Sequence, residues 1–122
     1  MNKKIIKAFG YAVNGWKRGY EENNIKIHLW ATFFVLIASI VFKISLYEFL
    51  IILLLIGIVI SAELFNTAIE EICDVIKIKL KLQYSDTTLA RDLAAGAVLV
   101  VSIVAGLIGL IIFVPKVLML FW

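Results

Sequence analysis

No charged side chain occurs between Phe49 and Ala62, nor between Leu93 and Val114, and "LWATFFVLIASIVF" (Leu29–Phe42) forms a third, shorter apolar run. Runs of this length and composition are read as membrane spans. Hydrocarbon contains no water to satisfy backbone amides, so each run has to close its own hydrogen bonds, and the α-helix does this within one segment. The expected spans are about 27–43, 45–67 and 93–114, with Pro115-Lys116 marking the exit of the last. A chain of 122 residues that is 63% hydrophobic has room for one membrane-embedded domain, 1–122. The fold class expected is therefore an all-α membrane protein. Cys73 has no second cysteine to pair with, so no intramolecular disulfide is expected. A polar segment precedes the first apolar run, which argues against a cleavable signal peptide.

Lysine and arginine are distributed unevenly around the runs. Lys3, Lys4, Lys7, Lys17, Arg18 and Lys26 precede or open the first span, and Lys77, Lys79, Lys81 and Arg91 separate the second from the third. Only Lys43 and Lys116 fall on the opposite side. The positive-inside rule then predicts a multi-pass cell-membrane protein with a cytoplasmic N-terminus and an extracytoplasmic C-terminus. The net charge of +3 is a topology signal and does not point to nucleic acid.

The N-terminal segment has its own periodicity. At the helical repeat, Ile5, Phe9, Ala12, Val13, Trp16 and Tyr20 share one face, and Lys4, Lys7, Tyr11, Asn14 and Arg18 share another. This predicts an amphipathic helix over about 3–22, lying on the cytoplasmic surface with its cations toward phosphate. A lipid-adhering anchor and a binding surface for a soluble anion both fit that pattern. "KLKLQYSDTT" is the stretch that reads as a true loop.

The second span does not end in apolar residues. "SAELFNTAIEEICD" places Glu63, Asn66, Glu70 and Asp74 on one helical face, with Glu71 pointing elsewhere. Glu63 and Asn66 are expected just inside the cytoplasmic edge of the hydrocarbon, and Glu70 and Asp74 at the interface. A carboxylate at mid-bilayer costs ~2.5–3.5 kcal/mol, and less near the edge. One such acid at a helix end reads as part of a polar seam, paired with Arg91 or Lys26. Four aligned polar groups that bracket the membrane surface suit a reaction between something in lipid and something in water.

These residues carry a family resemblance. "ELFNTAIEEICDVI" followed by "ARDLAAGAVLV" is similar to the signature of the small bacterial integral-membrane diacylglycerol kinase family, which includes the undecaprenol kinases. "KIIKAFGYAVNGW" and "EENNIKIH" resemble that family's surface helix and its junction with the first span. E-x-x-N-x-x-x-E-x-x-x-D inside a three-span layout is specific, and the resemblance extends over essentially the whole chain. It implies a homotrimer of three-span protomers, each with a surface helix, that transfers the γ-phosphate of ATP to a lipid hydroxyl with Mg²⁺.

The resemblance also implies residue roles. Glu63 matches the general base and Asn66 the polar residue beside it. Glu22 and Glu70 match the metal-holding carboxylates. Lys7, Tyr11, Asp74, Arg91 and Asp92 match positions around the nucleotide. Arg91 stands where the family usually has lysine, which keeps the charge and changes its geometry. Elementary chemistry agrees with such roles, because phosphoryl transfer is chiefly positioning and charge neutralisation, and magnesium takes one or two carboxylates plus phosphate oxygens.

"EENNIKIH", "DLAAGAVLV" and "FVPKV" look closer to the Gram-positive branch of the family, which implies undecaprenol as acceptor, with diacylglycerol as the alternative. Few hydrogen-bond donors lie near Glu63, mainly Ser61, Asn66 and Thr67, and this suits a plain alcohol better than a diester. A small oligomeric transporter or channel with Glu63 as its ion site is the rival from another class. It leaves the continuation of the acids to Asp74 and the cationic surface helix without a purpose.

Other residues carry less. "GYAVNGWK" has two glycines at P-loop spacing, but tryptophan replaces the lysine and no strand precedes it, so a Walker motif is rejected. His28 has no partner histidine for a metal and reads as an interfacial hydrogen-bonding residue. Cys73 reads as a packing residue, Trp30 and Trp122 as interfacial anchors, and Ala94–Ala97 as a site of close helix packing.

Overall fold

The computed structural model describes residues 2–122 as four α-helices and one short 3₁₀ turn. Helix α1 spans Lys3–Gly19 and is capped by the Asn2 side chain, which accepts from the Lys4 amide at 3.0 Å. Lys17 and Arg18 sit in its last turn, where cations favour the helix dipole. It ends earlier than the periodicity predicts. The amides of Glu21 and Glu22 bond back to Arg18 and Gly19 at 3.2 and 3.0 Å, closing a turn that delivers Glu22 as the N-cap of the next helix.

Helix α2, Asn23–Val41, is the first apolar helix. Its hydroxyls are satisfied internally: Thr32 donates to the His28 carbonyl and Ser39 to the Val35 carbonyl, each at 2.8 Å. That is how a helix in lipid disposes of polar side chains without an external partner. Lys43, at φ 50°, takes the left-handed conformation that turns the chain back. Ser45 and Glu48 then form a reciprocal capping box that opens α3.

Helix α3 runs unbroken from Leu46 to Lys79, 34 residues. At ~1.5 Å rise per residue this is roughly 50 Å, well beyond the ~30 Å hydrocarbon layer. The acidic stripe therefore rides on the continuation of a spanning helix and not on a loop. The 3₁₀ turn Tyr84–Thr87 leads into α4, Thr88–Met119. Pro115 lies inside α4, and the helix continues beyond the point where the proline-lysine pair marks the exit. Proline removes one i→i−4 bond there. The next residue, Lys116, is held to Glu48 of α3 at 2.8 Å, which ties the end of α4 to the start of α3.

α3 is the central element, with α4 packed along its length and α2 against it more sparsely. The buried residues are few, and polar ones are prominent: Ser39, Glu63, Asn66, Thr87 and Arg91 stand beside Gly19, Ile25, Ile52, Cys73, Ala94 and Ile112. Large apolar side chains such as Leu54 and Ile111 face outward, as they do when the surrounding solvent is lipid. Between α2, α3 and α4 lies an apolar cleft of about 400 Å³. It runs from His28 and Ile60 at one end to Ile52 and Phe113 at the other, with Val59 and Gly109 among its walls.

Candidate active site

Because α3 is continuous, Glu63, Asn66, Glu70 and Asp74 occupy one face of a single rigid helix. Glu63 and Asn66 are 3% and 4% exposed, more deeply buried than Cys73, Ala94 or Ile112. Asn66 donates from Nδ2 to Glu70 Oε1 at 3.3 Å, an i,i+4 contact that links the buried and interfacial ends of the stripe. Two buried acceptors on this face lack a hydrogen-bond partner, Glu63 Oε1 and Asn66 Oδ1. Buried polar atoms without partners are uncommon and costly, and each one points to something the site is built to receive. A hydroxyl donor or a cation would satisfy both.

The other Glu63 oxygen faces α2. His28 Nε2 lies 3.6 Å from Glu63 Oε2, and the imidazole is mostly covered. His28 thus has a specific partner across the helix interface in place of the general interfacial bond expected of it. It also lines the apolar cleft, so Glu63 is separated from the cleft only by this ring.

About one turn beyond Glu70, Asp74 meets Arg91 of α4, with Nη2 donating to Oδ1 at 2.8 Å. The guanidinium also donates from Nε to Thr87 Oγ1 at 3.0 Å and stacks 4.5 Å from the centre of the Tyr84 ring. Lys77 approaches the same ring at 5.7 Å. Thr87 and Tyr84 were not singled out by sequence pattern, although Thr87 stands four residues before Arg91, a spacing that makes neighbours on a helix.

The remaining candidates are not brought into this cluster. Lys7 and Tyr11 stand exposed on α1 with no side-chain bond among the described residues. Glu22 is exposed at the N-cap of α2 and makes no capping bond with its side chain. Asp92 faces outward beside buried Arg91. Only one residue of α1 is buried, Gly19, and a Cβ there would collide with the end of the Leu64 side chain. The absence of a side chain at Gly19 lets the end of α1 approach α3 immediately beside Glu63.

No group of three or more His, Cys, Asp or Glu side chains capable of enclosing a metal exists among the described residues. What α3 offers is an open set of oxygens, Asn66 Oδ1 and the Glu70 carboxylate. Such a set fits a hard divalent cation that keeps most of its own waters, and not a closed structural site.

Membrane-spanning helices, a buried carboxylate with an unpartnered oxygen and a polar stripe leading out to clustered cations describe an enzyme acting at the membrane surface. The sequence profile of the prokaryotic diacylglycerol kinase family matches residues 10–113, and the chain belongs to that family. Its reaction class is phosphorylation of a lipid alcohol, which removes the transporter alternative. A relative named undecaprenol kinase, from Bacillus subtilis (strain 168), is 40% identical over 114 residues, covering 93% of this chain and 90% of that protein. No solved structure matches the chain.

Proposed function

We propose that this chain transfers the γ-phosphate of ATP to the hydroxyl of undecaprenol, giving undecaprenyl phosphate. The observation that carries the reading is Glu63, 3% exposed, with Oε1 unpartnered and Oε2 3.6 Å from His28, a residue that lines the apolar cleft. The name of the Bacillus relative supports the choice of acceptor. An alcohol on a wholly apolar chain also suits a cleft with so few polar groups in its walls.

In this mechanism Glu63 Oε1 accepts the proton of the lipid hydroxyl as that oxygen attacks the γ-phosphorus. The bond from the γ-phosphorus to the bridging oxygen breaks, and ADP leaves. Asn66 orients Glu70 through their hydrogen bond. Glu70 and Glu22 would hold Mg²⁺, whose chemistry is to neutralise charge on the phosphates. Arg91, with Asp74 and Asp92, frames the nucleotide, and Lys7 and Tyr11 approach it from α1 as that helix lies on the cytoplasmic surface. α1 is positioned beside Glu63 by Gly19. The N-terminus is cytoplasmic and the C-terminus extracytoplasmic.

Sparsely buried spanning helices and a polar stripe on a three-helix protomer call for neighbouring protomers, and we infer a homotrimer. The deciding assay uses purified protein in mixed micelles with labelled ATP, and undecaprenol or a diacylglycerol at matched mole fraction. A higher kcat/KM for undecaprenol is expected. A higher value for diacylglycerol would make this chain a diacylglycerol kinase, and absence of lipid-dependent transfer would overturn the reading altogether.

A further inference from the structure

We propose that His28 is a positioning residue for the acceptor reaction, holding one oxygen of Glu63 so that the other is presented to the lipid hydroxyl. The inference rests on the assignment of Glu63 as base. It goes beyond that assignment in giving a role to a residue of a different helix.

Three observations converge. His28 Nε2 faces Glu63 Oε2 at 3.6 Å, whereas Oε1 of the same carboxylate is buried and without a partner. The two oxygens are therefore already inequivalent. His28 also lines the apolar cleft, so the ring stands where a lipid hydroxyl arriving along α2 would reach Glu63. Finally, Ile25, 0% exposed and three residues earlier, anchors the same face of α2 against the bundle and sets the depth of the ring.

The physical need is clear. A carboxylate in a poorly solvated site that lacks a donor on either oxygen is free to rotate, and its two oxygens compete for one proton. A donor on Oε2 fixes the plane and leaves Oε1 as the sole acceptor. The separation is slightly longer than a hydrogen bond, as catalytic contacts often are before substrate tightens them. No proton leaves His28 in this scheme; the hydroxyl proton goes to Glu63.

The test uses the full chain in the same micelles with His28→Leu, His28→Gln, Glu63→Gln and the double variant His28→Leu/Glu63→Gln. Helicity and detergent-solubilised mass establish that each variant is folded. His28→Leu is expected to lower kcat at least ~10-fold with KM for Mg-ATP within about twofold. His28→Gln, whose amide restores a donor at similar reach, is expected to recover most of that loss. On the Glu63→Gln background, His28→Leu is expected to cause no further loss, because its target has gone.

Equal losses in the Leu and Gln variants, or full turnover by His28→Leu, overturn the proposal, as do multiplying losses in the double variant. If residual turnover of Glu63→Gln is too low to compare, the Leu against Gln pair decides alone. Should His28→Leu fail to fold, His28→Asn replaces it, its amide being too short to reach. Normal turnover by Glu63→Gln alone would instead remove the base assignment, a result distinguishable from any of these.

Discussion

Arg91 of α4 and Asp74 of α3 are joined by a 2.8 Å bond, with the Tyr84 ring 4.5 Å from the guanidinium carbon. Arg91 is only 9% exposed, while half of the Asp74 side chain remains open to solvent. The arginine is thus fixed on three sides by Asp74, Thr87 and Tyr84 before any ligand arrives. A guanidinium is suited to this because its planar fork can donate in two directions and stack at once, which an ammonium cannot do.

This geometry separates stability from function. Arg91→Lys keeps a cation beside half-open Asp74, a pair worth about 0.2–1 kcal/mol, and gives up the bond to Thr87 and the stacking on Tyr84, so a loss of about 1–2 kcal/mol in stability is expected. If the cluster frames the nucleotide, the same change should raise KM for Mg-ATP several-fold, and Arg91→Ala by ~10-fold or more, because charge-assisted bonds to phosphate are among the stronger ones. Steady-state kinetics with ATP varied at saturating lipid checks it. An unchanged KM in Arg91→Ala would leave Arg91 a purely structural residue.

Glu63→Gln keeps the size and polarity of the side chain and removes its capacity to accept a proton. Turnover should fall at least ~10²-fold, with Mg-ATP still bound at near-normal affinity. Equilibrium nucleotide binding measured beside turnover separates the two effects.

Removal of a magnesium ligand should show in the metal titration before anything else. Glu70→Ala and Glu22→Ala are each expected to raise the magnesium concentration needed for half-maximal activity, since each deletes an anionic ligand. Glu71→Ala, exposed and off the stripe, should titrate like the unmodified protein. Identical titrations for all three variants would remove the metal assignment from Glu22 and Glu70.

The assembly is expected to be a trimer, with the polar stripe facing a neighbouring helix. Mass measurement in mild detergent, paired with an activity assay of the same sample, tests this directly. Full activity from a species of monomeric mass would contradict it.

Much of the architecture was legible in the chain because lipid permits so few solutions. Charge-free runs imply helices, and the three apolar helices α2, α3 and α4 contain them. The alignment of Glu63, Asn66 and Glu70 could also be read directly, since residues on one helix keep a fixed angular relation. Between helices, the pairing of one acid with Arg91 could be anticipated, and it falls on Asp74, but other contacts could not be read. The approach of His28 to Glu63 depends on how α2 settles against α3, and no periodicity within either helix encodes that register. The helix ends were equally hard to place. α1 stops at Gly19 because the turn Tyr20–Glu22 is needed to start α2, and α4 continues past Pro115, where Lys116 is held by Glu48.

The uninterrupted run of α3 from Leu46 to Lys79 has one more consequence. With no hinge between Glu63 and Asp74, this helix works as a ruler: the separation along it is set by residue count and rise, and substitutions that keep the helix straight leave it unchanged. Inserting one residue between Glu63 and Glu70 would rotate everything beyond by ~100° and advance it by ~1.5 Å, dislocating the stripe although every side chain in it survives. The chain can therefore drift widely in the identity of its apolar residues, but its length here is not negotiable. Variation in this segment should appear as replacement and almost never as insertion or deletion.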